Sequence, residues 1–122
     1  MIFISNAMSN KIQVTTTFSR KSERYKFYLM PESFREHIET KYLETGKILS
    51  RDSYVSVDRM AKTIVTQFAS IEDWQEFNAD PIQLQVLEDR ITVCKENNIK
   101  ISVVIQEYNN DGIVNSTTRT II

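Results

Sequence analysis

Apolar and polar residues alternate along much of the chain, and a period of two is typical of half-buried β-strands. In the segment 11–18, every second residue from Ile12 to Phe18 falls on one face. A shorter alternation at Tyr25, Phe27 and Leu29 indicates a continuation as an edge strand. The full pattern predicts strands at 11–18, 48–57, 61–69, 99–106 and 113–122.

A helical period appears in two other parts of the chain. Phe34, Ile38 and Tyr42 recur at every fourth residue, which places them on one face of a helix. Gly46 follows this segment, and glycine readily takes the left-handed conformation that ends many helices. We therefore predict a first helix over 32–45.

The second helical part begins with a capping box, in which Ser70 accepts a hydrogen bond from the backbone of Asp73. Asp80 can cap a further segment that Pro81 opens, and the asparagines at 97–98 tolerate the left-handed conformation that ends it. The predicted buried stripe of this segment consists of Ile82, Leu84, Val86, Leu87, Ile91, Val93 and Cys94.

The order of these elements predicts an α+β protein with the ferredoxin-like plan βαββαβ and an extra C-terminal strand. The strongest turn signal, 109–112, leads into that last strand, which extends the sheet or reaches a partner subunit. Both helices of such a fold cover one face of the sheet. Since the strands carry apolar residues on both sides, as at Ile64 and Val65, we expect the other face to meet a second copy in a homodimer.

The segment 63–81 runs from a strand through a serine, two acidic residues, Trp74 and Phe77 to an Asp-Pro pair. It resembles the third strand and second helix of the dimeric α+β barrel superfamily, which includes the antibiotic-biosynthesis-monooxygenase-like domains. The segment 46–51 also suits the start of their second strand, so the resemblance lies mainly over residues 46–81. It implies that two subunits place their sheets face to face and close a barrel.

Members of that superfamily include oxygenases, haem-degrading enzymes, isomerase-like enzymes and domains without known activity. The haem-degrading members use an asparagine, a tryptophan and a histidine on the second helix. The single histidine of this chain, His37, falls on the first predicted helix instead. The resemblance therefore implies a fold and a dimer, and it argues against haem chemistry.

The length of 122 residues fits one domain, which we assign to residues 8–122. Residues 1–7 look like the remnant of an expression tag, because Ser-Asn-Ala precedes the second methionine, Met8. Lys and Arg number 15 and Asp and Glu 16, and this balance argues against a nucleic-acid binder. No apolar run approaches the roughly 18–20 residues that span a bilayer. The one cysteine, Cys94, fits a reducing compartment, so we expect a cytoplasmic protein.

The chain lacks the residue sets of several common chemistries. One histidine and one cysteine on different helices do not make a transition-metal site, and two glycines do not make a phosphate-binding loop, so we predict no metal and no cofactor. His37 at the edge of an apolar stripe is typical of a packed or hydrogen-bonded histidine. The basic and aromatic residues of 20–28 are typical of a solvated loop, with single-stranded nucleic-acid binding as an alternative.

The leading hypothesis for function is a small homodimeric interaction or assembly module without enzymatic activity. An accessory protein of a virus or bacterium is one form that such a module could take, and the abundance of Asn, Ile, Lys and Thr indicates an AT-rich coding source. The alternative is an antibiotic-biosynthesis-monooxygenase-like enzyme or a binder of a small apolar ligand, which predicts a cavity between sheet and helices. Five sheet residues are candidates to line such a pocket: Thr16, Tyr54, Gln67, Phe68 and Gln106. Catalytic residues are not identifiable from the sequence.

Overall fold

A computed structural model describes residues 10–122, so the predicted tag remnant at 1–7 lies outside the described residues. The described chain contains five strands and three α-helices. The strands are β1 (Lys11–Ser19), β2 (Ile48–Val55), β3 (Ala61–Phe68), β4 (Lys100–Asn109) and β5 (Gly112–Thr120). The helices are α1 (Glu32–Ile38), α2 (Ile71–Ala79) and α3 (Pro81–Glu96). None of the described helices is long and apolar enough to cross a membrane.

The strands form one antiparallel sheet in the order β2-β3-β1-β4-β5. The α+β class is thus confirmed, and the order of β1 to β4 is compatible with the ferredoxin-like plan. The additional strand β5 pairs with β4 through the turn at 109–112, where Gly112 has a positive φ of 117°. It therefore extends the sheet at one edge, and β2 forms the opposite edge.

The helix caps lie where the sequence predicts them. The Ser70 hydroxyl accepts a hydrogen bond from the Asp73 amide at 3.1 Å, and Asp80 Oδ1 accepts one from the Ile82 amide at 2.9 Å. Pro81 is the first residue of α3, where its missing N–H removes no helical hydrogen bond. Asp80 thus separates α2 from α3 and ties the two helices together.

Three sequence predictions need correction. The first helix does not run as a regular α-helix over 32–45, because α1 ends at Ile38 and continues as a π-helical turn, Glu39–Leu43. Residues 25–29 form no strand: Tyr25 and Phe27 pack against the core from a loop, and Leu29, the third residue of the alternation, is 75% exposed. Two residues of the predicted α3 stripe, Ile82 and Leu84, are exposed, since the buried face of α3 is rotated away from them.

The hydrophobic core occupies the helix-covered face of the sheet and consists of two clusters. One lies around Phe34, Tyr42, Phe68 and Phe77. The second contains Phe18, Ile64, Cys94, Ile99 and Ile101. Cys94 is fully buried in it, as the sequence predicts for a small apolar side chain.

Candidate functional site

A cavity of about 330 Å³ lies between the sheet and helices α2 and α3, and residues of both core clusters line it. Its volume is at the lower end of the range found for small-molecule sites, about 300–1,000 Å³. The wall is mainly apolar and includes Val14, Ile64, Phe68, Trp74, Leu87, Ile91, Val103 and Ile105. Arg119 and Ile121 also line it and are exposed, so the cavity reaches solvent beside β5.

Arg90 enters this wall from the buried face of α3. It lies four residues after Val86 and four before Cys94, and both of those side chains are buried. Side chains at this spacing share one helix face, so the guanidinium group of Arg90 must point toward the sheet. Its carbon Cζ lies 5.0 Å from the centre of the Phe18 ring. Its Nε atom is buried and lacks a hydrogen-bond partner among residues 10–122.

Arg51 reaches the cavity from the sheet because of a β-bulge. The pairing of β2 with β3 shifts between Ile48 and Ser50, so the side chains that face the helices change from even to odd positions. Ile48 therefore faces the core before the bulge, and Arg51 faces it afterwards. One terminal nitrogen of Arg51 donates to the sulfur of Met30 at 3.4 Å.

These two arginines belong to a cluster of positive charges at one side of the cavity. Burial and, to a smaller extent, the charges of Arg90 and Arg35 together lower the pKa of Arg51 to about 10, so the group stays charged at neutral pH. Burial also lowers the pKa of Lys62, with a contribution from all three arginines. Among the described residues, no carboxylate forms a salt bridge with Arg51, Lys62 or Arg90.

The acidic groups next to Arg90 are neutral at physiological pH. They are the phenol of Tyr28 and the thiol of Cys94. If either group were ionised, its negative charge would stabilise the Arg90 cation. Burial raises the pKa of both groups, so neither supplies a negative charge. Within residues 10–122 the positive charges on this side of the cavity therefore have no salt-bridge partner, although the carboxylate of Asp89 lies close enough to Tyr28 to raise the pKa of that phenol further.

The five predicted pocket residues divide between the two faces of the sheet. Thr16 and Phe68 line the cavity. Gln67 lies on the other face, opposite Gln13 in the register of β1 and β3, and Gln106 lies there as well. Tyr54 is on the same side, across from Thr63, and is exposed. The part of any of these residues in ligand binding stays a prediction.

Asp80 is the centre of a second polar cluster, between the first helix and the start of α3. One carboxylate oxygen, Oδ2, accepts hydrogen bonds from Tyr42 Oη and His37 Nε2, each at 2.6 Å, and lies 3.4 Å from Lys41 Nζ. Burial raises the pKa of Asp80, but the hydrogen bonds from Tyr42, His37 and the Ile82 amide together lower it well below its usual range. His37 is therefore a hydrogen-bonded histidine, as the sequence predicts.

The basic and aromatic residues of 20–28 bind mainly to their own loop. The guanidinium group of Arg20 donates to the carbonyl oxygens of Arg59 and Tyr25 and lies 4.0 Å from the centre of the Phe27 ring. Arg24 contacts the ring and hydroxyl of Tyr25. This arrangement occupies the aromatic faces on which nucleotide bases would stack.

Comparison with protein-family models, curated protein sequences and solved structures finds no significant match. The candidate site must therefore be interpreted from its own chemistry. Within residues 10–122, no group of three or more His, Cys, Asp and Glu side chains could hold a metal ion. The cavity instead offers a mainly apolar wall, Trp74 and the guanidinium groups of Arg51 and Arg90, which form no salt bridge with any residue that the structure describes.

Sequence analysis missed Arg51, Arg90 and Lys62 as site residues. A signal for Arg90 was present, because a charged residue between Val86 and Cys94 interrupts an apolar stripe at helical spacing. Arg51 carried no comparable signal, since its orientation depends on the bulge after Ile48.

Proposed function

We propose that this protein binds a small, largely apolar molecule in the cavity between the sheet and helices α2 and α3. The observation that carries this proposal is a mainly apolar space of about 330 Å³ that residues of both core clusters line. Protein interiors are normally close-packed, and voids larger than a water molecule are few. A cavity of this size in a small domain is the feature expected of a ligand site.

The test is a pair of tryptophan substitutions on α3. Leu87 lines the cavity and is half-buried, whereas Leu84 is exposed on the same helix. Leu87→Trp should fill part of the cavity, and Leu84→Trp adds the same side chain outside it. A panel of small apolar compounds, including octanol, indole and naphthalene, is screened against all three proteins by thermal unfolding.

We expect at least one compound to raise the unfolding temperature of the wild type and of Leu84→Trp, and to have little effect on Leu87→Trp. A ligand at one hundred times its Kd stabilises a protein by about 2.7 kcal/mol, which is readily measured. The proposal fails if no compound raises the unfolding temperature, or if Leu87→Trp responds as the wild type does.

We further propose that two copies associate through the sheet face opposite the helices, in the manner of the dimeric α+β barrel superfamily. Two features support this. The open face carries Val65, Val104 and Tyr54 among threonines and glutamines, and the edge strand β5 is exposed almost throughout. An exposed edge strand offers unpaired backbone groups to a partner chain. Such a dimer would be consistent with the assembly role that the sequence suggests.

Sedimentation equilibrium at micromolar concentration tests this association. We expect a dimer for the wild type and a monomer for Val104→Lys, because the charge would have to be buried between the two sheets. Val57→Lys is the control, since Val57 is fully exposed in a loop. A wild-type monomer under these conditions would contradict the proposal.

A further inference from the structure

Arg51, Lys62 and Arg90 place positive charges around the cavity, and none of the three forms a salt bridge within residues 10–122. Removing an ion from water is costly unless an opposite charge or several hydrogen bonds replace the lost solvation. Arg90 has the Phe18 ring beneath it, yet its Nε atom is buried and has no acceptor within the part of the chain that the structure describes. Because that atom has less than 1 Å² of accessible surface, an anion in the cavity would meet the rest of the guanidinium group, which lines the cavity wall.

The neighbouring groups place further positive charge near the same point. Arg51 lines the same cavity, and within residues 10–122 its side chain donates to a weak acceptor, the sulfur of Met30. Lys62 and Arg90 together line a small adjoining space beside Phe27 and Tyr28. Guanidinium groups bind carboxylates and phosphates in fixed, often bidentate geometry. The cluster therefore has the composition of an anion-binding site.

The rest of the cavity wall is mainly apolar. Its apolar part, from Phe68 and Trp74 to Ile105, matches a hydrocarbon or aromatic body, and polar residues line it as well: Thr16, Thr66, Asn78, Gln83 and Arg119. At about 30 Å³ for each water-sized group, a volume of 330 Å³ holds roughly eleven such groups. A molecule of the size of octanoate would fill it.

We propose that the ligand of this cavity is a small amphipathic acid, whose anionic head group binds Arg90 and Arg51 while its apolar body lies between α3 and the sheet. This inference rests on the proposed function and specifies the class of ligand. A carboxylate and a phosphate share the necessary chemistry, and the experiment includes both.

The probes are octanoate, octyl phosphate, octanol and octylamine, which share one chain and differ in the head group. Binding is followed by calorimetry and by the fluorescence of Trp74, the single tryptophan of the chain, which lies in the cavity wall. We expect at least one of the two anions to bind about tenfold or more tightly than octanol, as charged hydrogen bonds allow, and octylamine to bind most weakly.

Two substitutions and a control variant test whether Arg90 and Arg51 bind the anionic head group. Arg90→Met and Arg51→Met keep much of the side-chain length without the charge, and each should weaken binding of the preferred anion by about tenfold while leaving octanol unchanged. Lys95→Met removes one positive charge from an exposed position on the same helix and should change neither. Two independent arginine variants keep the test valid if one of them fails to fold, which circular dichroism reports.

The possible results separate the inference from the proposed function. Equal binding of octanol and both anions would overturn the amphipathic acid and leave the apolar cavity as a binding site. An anion preference that persists in both arginine variants would also overturn it. Absence of binding by all four probes would count against the proposed function itself. Tighter binding of octyl phosphate than octanoate, or the reverse, identifies the head group and supports the inference.

Discussion

Replacing Asp80 by alanine should be among the most damaging single changes in this protein. The carboxylate is only 4% exposed, and it joins the first helix to the start of α3. Its Oδ2 atom accepts from Tyr42 and His37 and faces Lys41, while Oδ1 caps α3 through the Ile82 amide. Asp80→Ala removes all of these interactions together.

The magnitude follows from the groups left behind. Loss of a helix cap costs about 0.5–2 kcal/mol, and each buried donor left without an acceptor costs about 1–3 kcal/mol. Tyr42 is fully buried, so its hydroxyl has no access to water, whereas His37 and Lys41 are partly exposed and lose less. We expect a total of about 3–5 kcal/mol. For a domain of this length that corresponds to a fall of roughly 12–20 °C in Tm.

Urea unfolding followed by circular dichroism measures this loss. Glu88→Ala is the matched control, because it removes an exposed carboxylate from the same helix and should change the unfolding free energy by no more than about 0.5 kcal/mol. Asp80→Asn keeps an oxygen for the cap and should fall between the two. A loss below about 1 kcal/mol for Asp80→Ala would refute the argument that this carboxylate holds the helices together.

Three further predictions concern stability. The hydrogen-bonded carboxylate of Asp80 has a lowered pKa in the folded state. The stabilisation it provides is therefore complete above its unfolded pKa of about 4 and is lost as the pH falls below that value. When the unfolding free energy is measured at decreasing pH, it should fall more steeply for the wild type than for Asp80→Asn. Phe77→Ala should cost about 3–5 kcal/mol in urea unfolding, because the ring packs edge-on against Tyr42 at 5.0 Å; a loss under about 1 kcal/mol would show that the site collapses. Gly46→Ala should cost about 1 kcal/mol by the same assay, since φ is +79° and an added Cβ contacts nothing within 4 Å, so an unchanged midpoint would contradict the backbone argument.

The fold was largely predictable because its signals are local. Alternation located β1 and β3, and the caps at Ser70 and Asp80 located the starts of α2 and α3. The π-helical turn after Ile38 left no mark in the apolar spacing, since Phe34, Ile38 and Tyr42 are buried in either helical form. At Ile82 and Leu84 the apolar spacing predicted buried side chains, but the packing of α3 against the sheet leaves both of them exposed.

The candidate site was much less predictable, because it depends on contacts between distant segments. Arg51 and Arg90 are 39 positions apart, and they line the same cavity only because the bulge in β2 turns Arg51 toward the helix-covered face. His37 and Asp80 are likewise 43 positions apart, and the sequence offered no reason to pair them. Thr16 and Phe68 were identifiable as inward-facing strand residues, but the face on which a cavity forms was not.

The most direct test of the account is a crystal structure of the protein grown with octanoate. We expect electron density for the hydrocarbon chain of octanoate between α3 and the sheet, with its carboxylate within hydrogen-bond distance of the Arg90 guanidinium group and beside Arg51. A cavity closed by movement of Trp74 and Leu87, with octanoate absent or bound elsewhere, would contradict the central claim that this space is a ligand site.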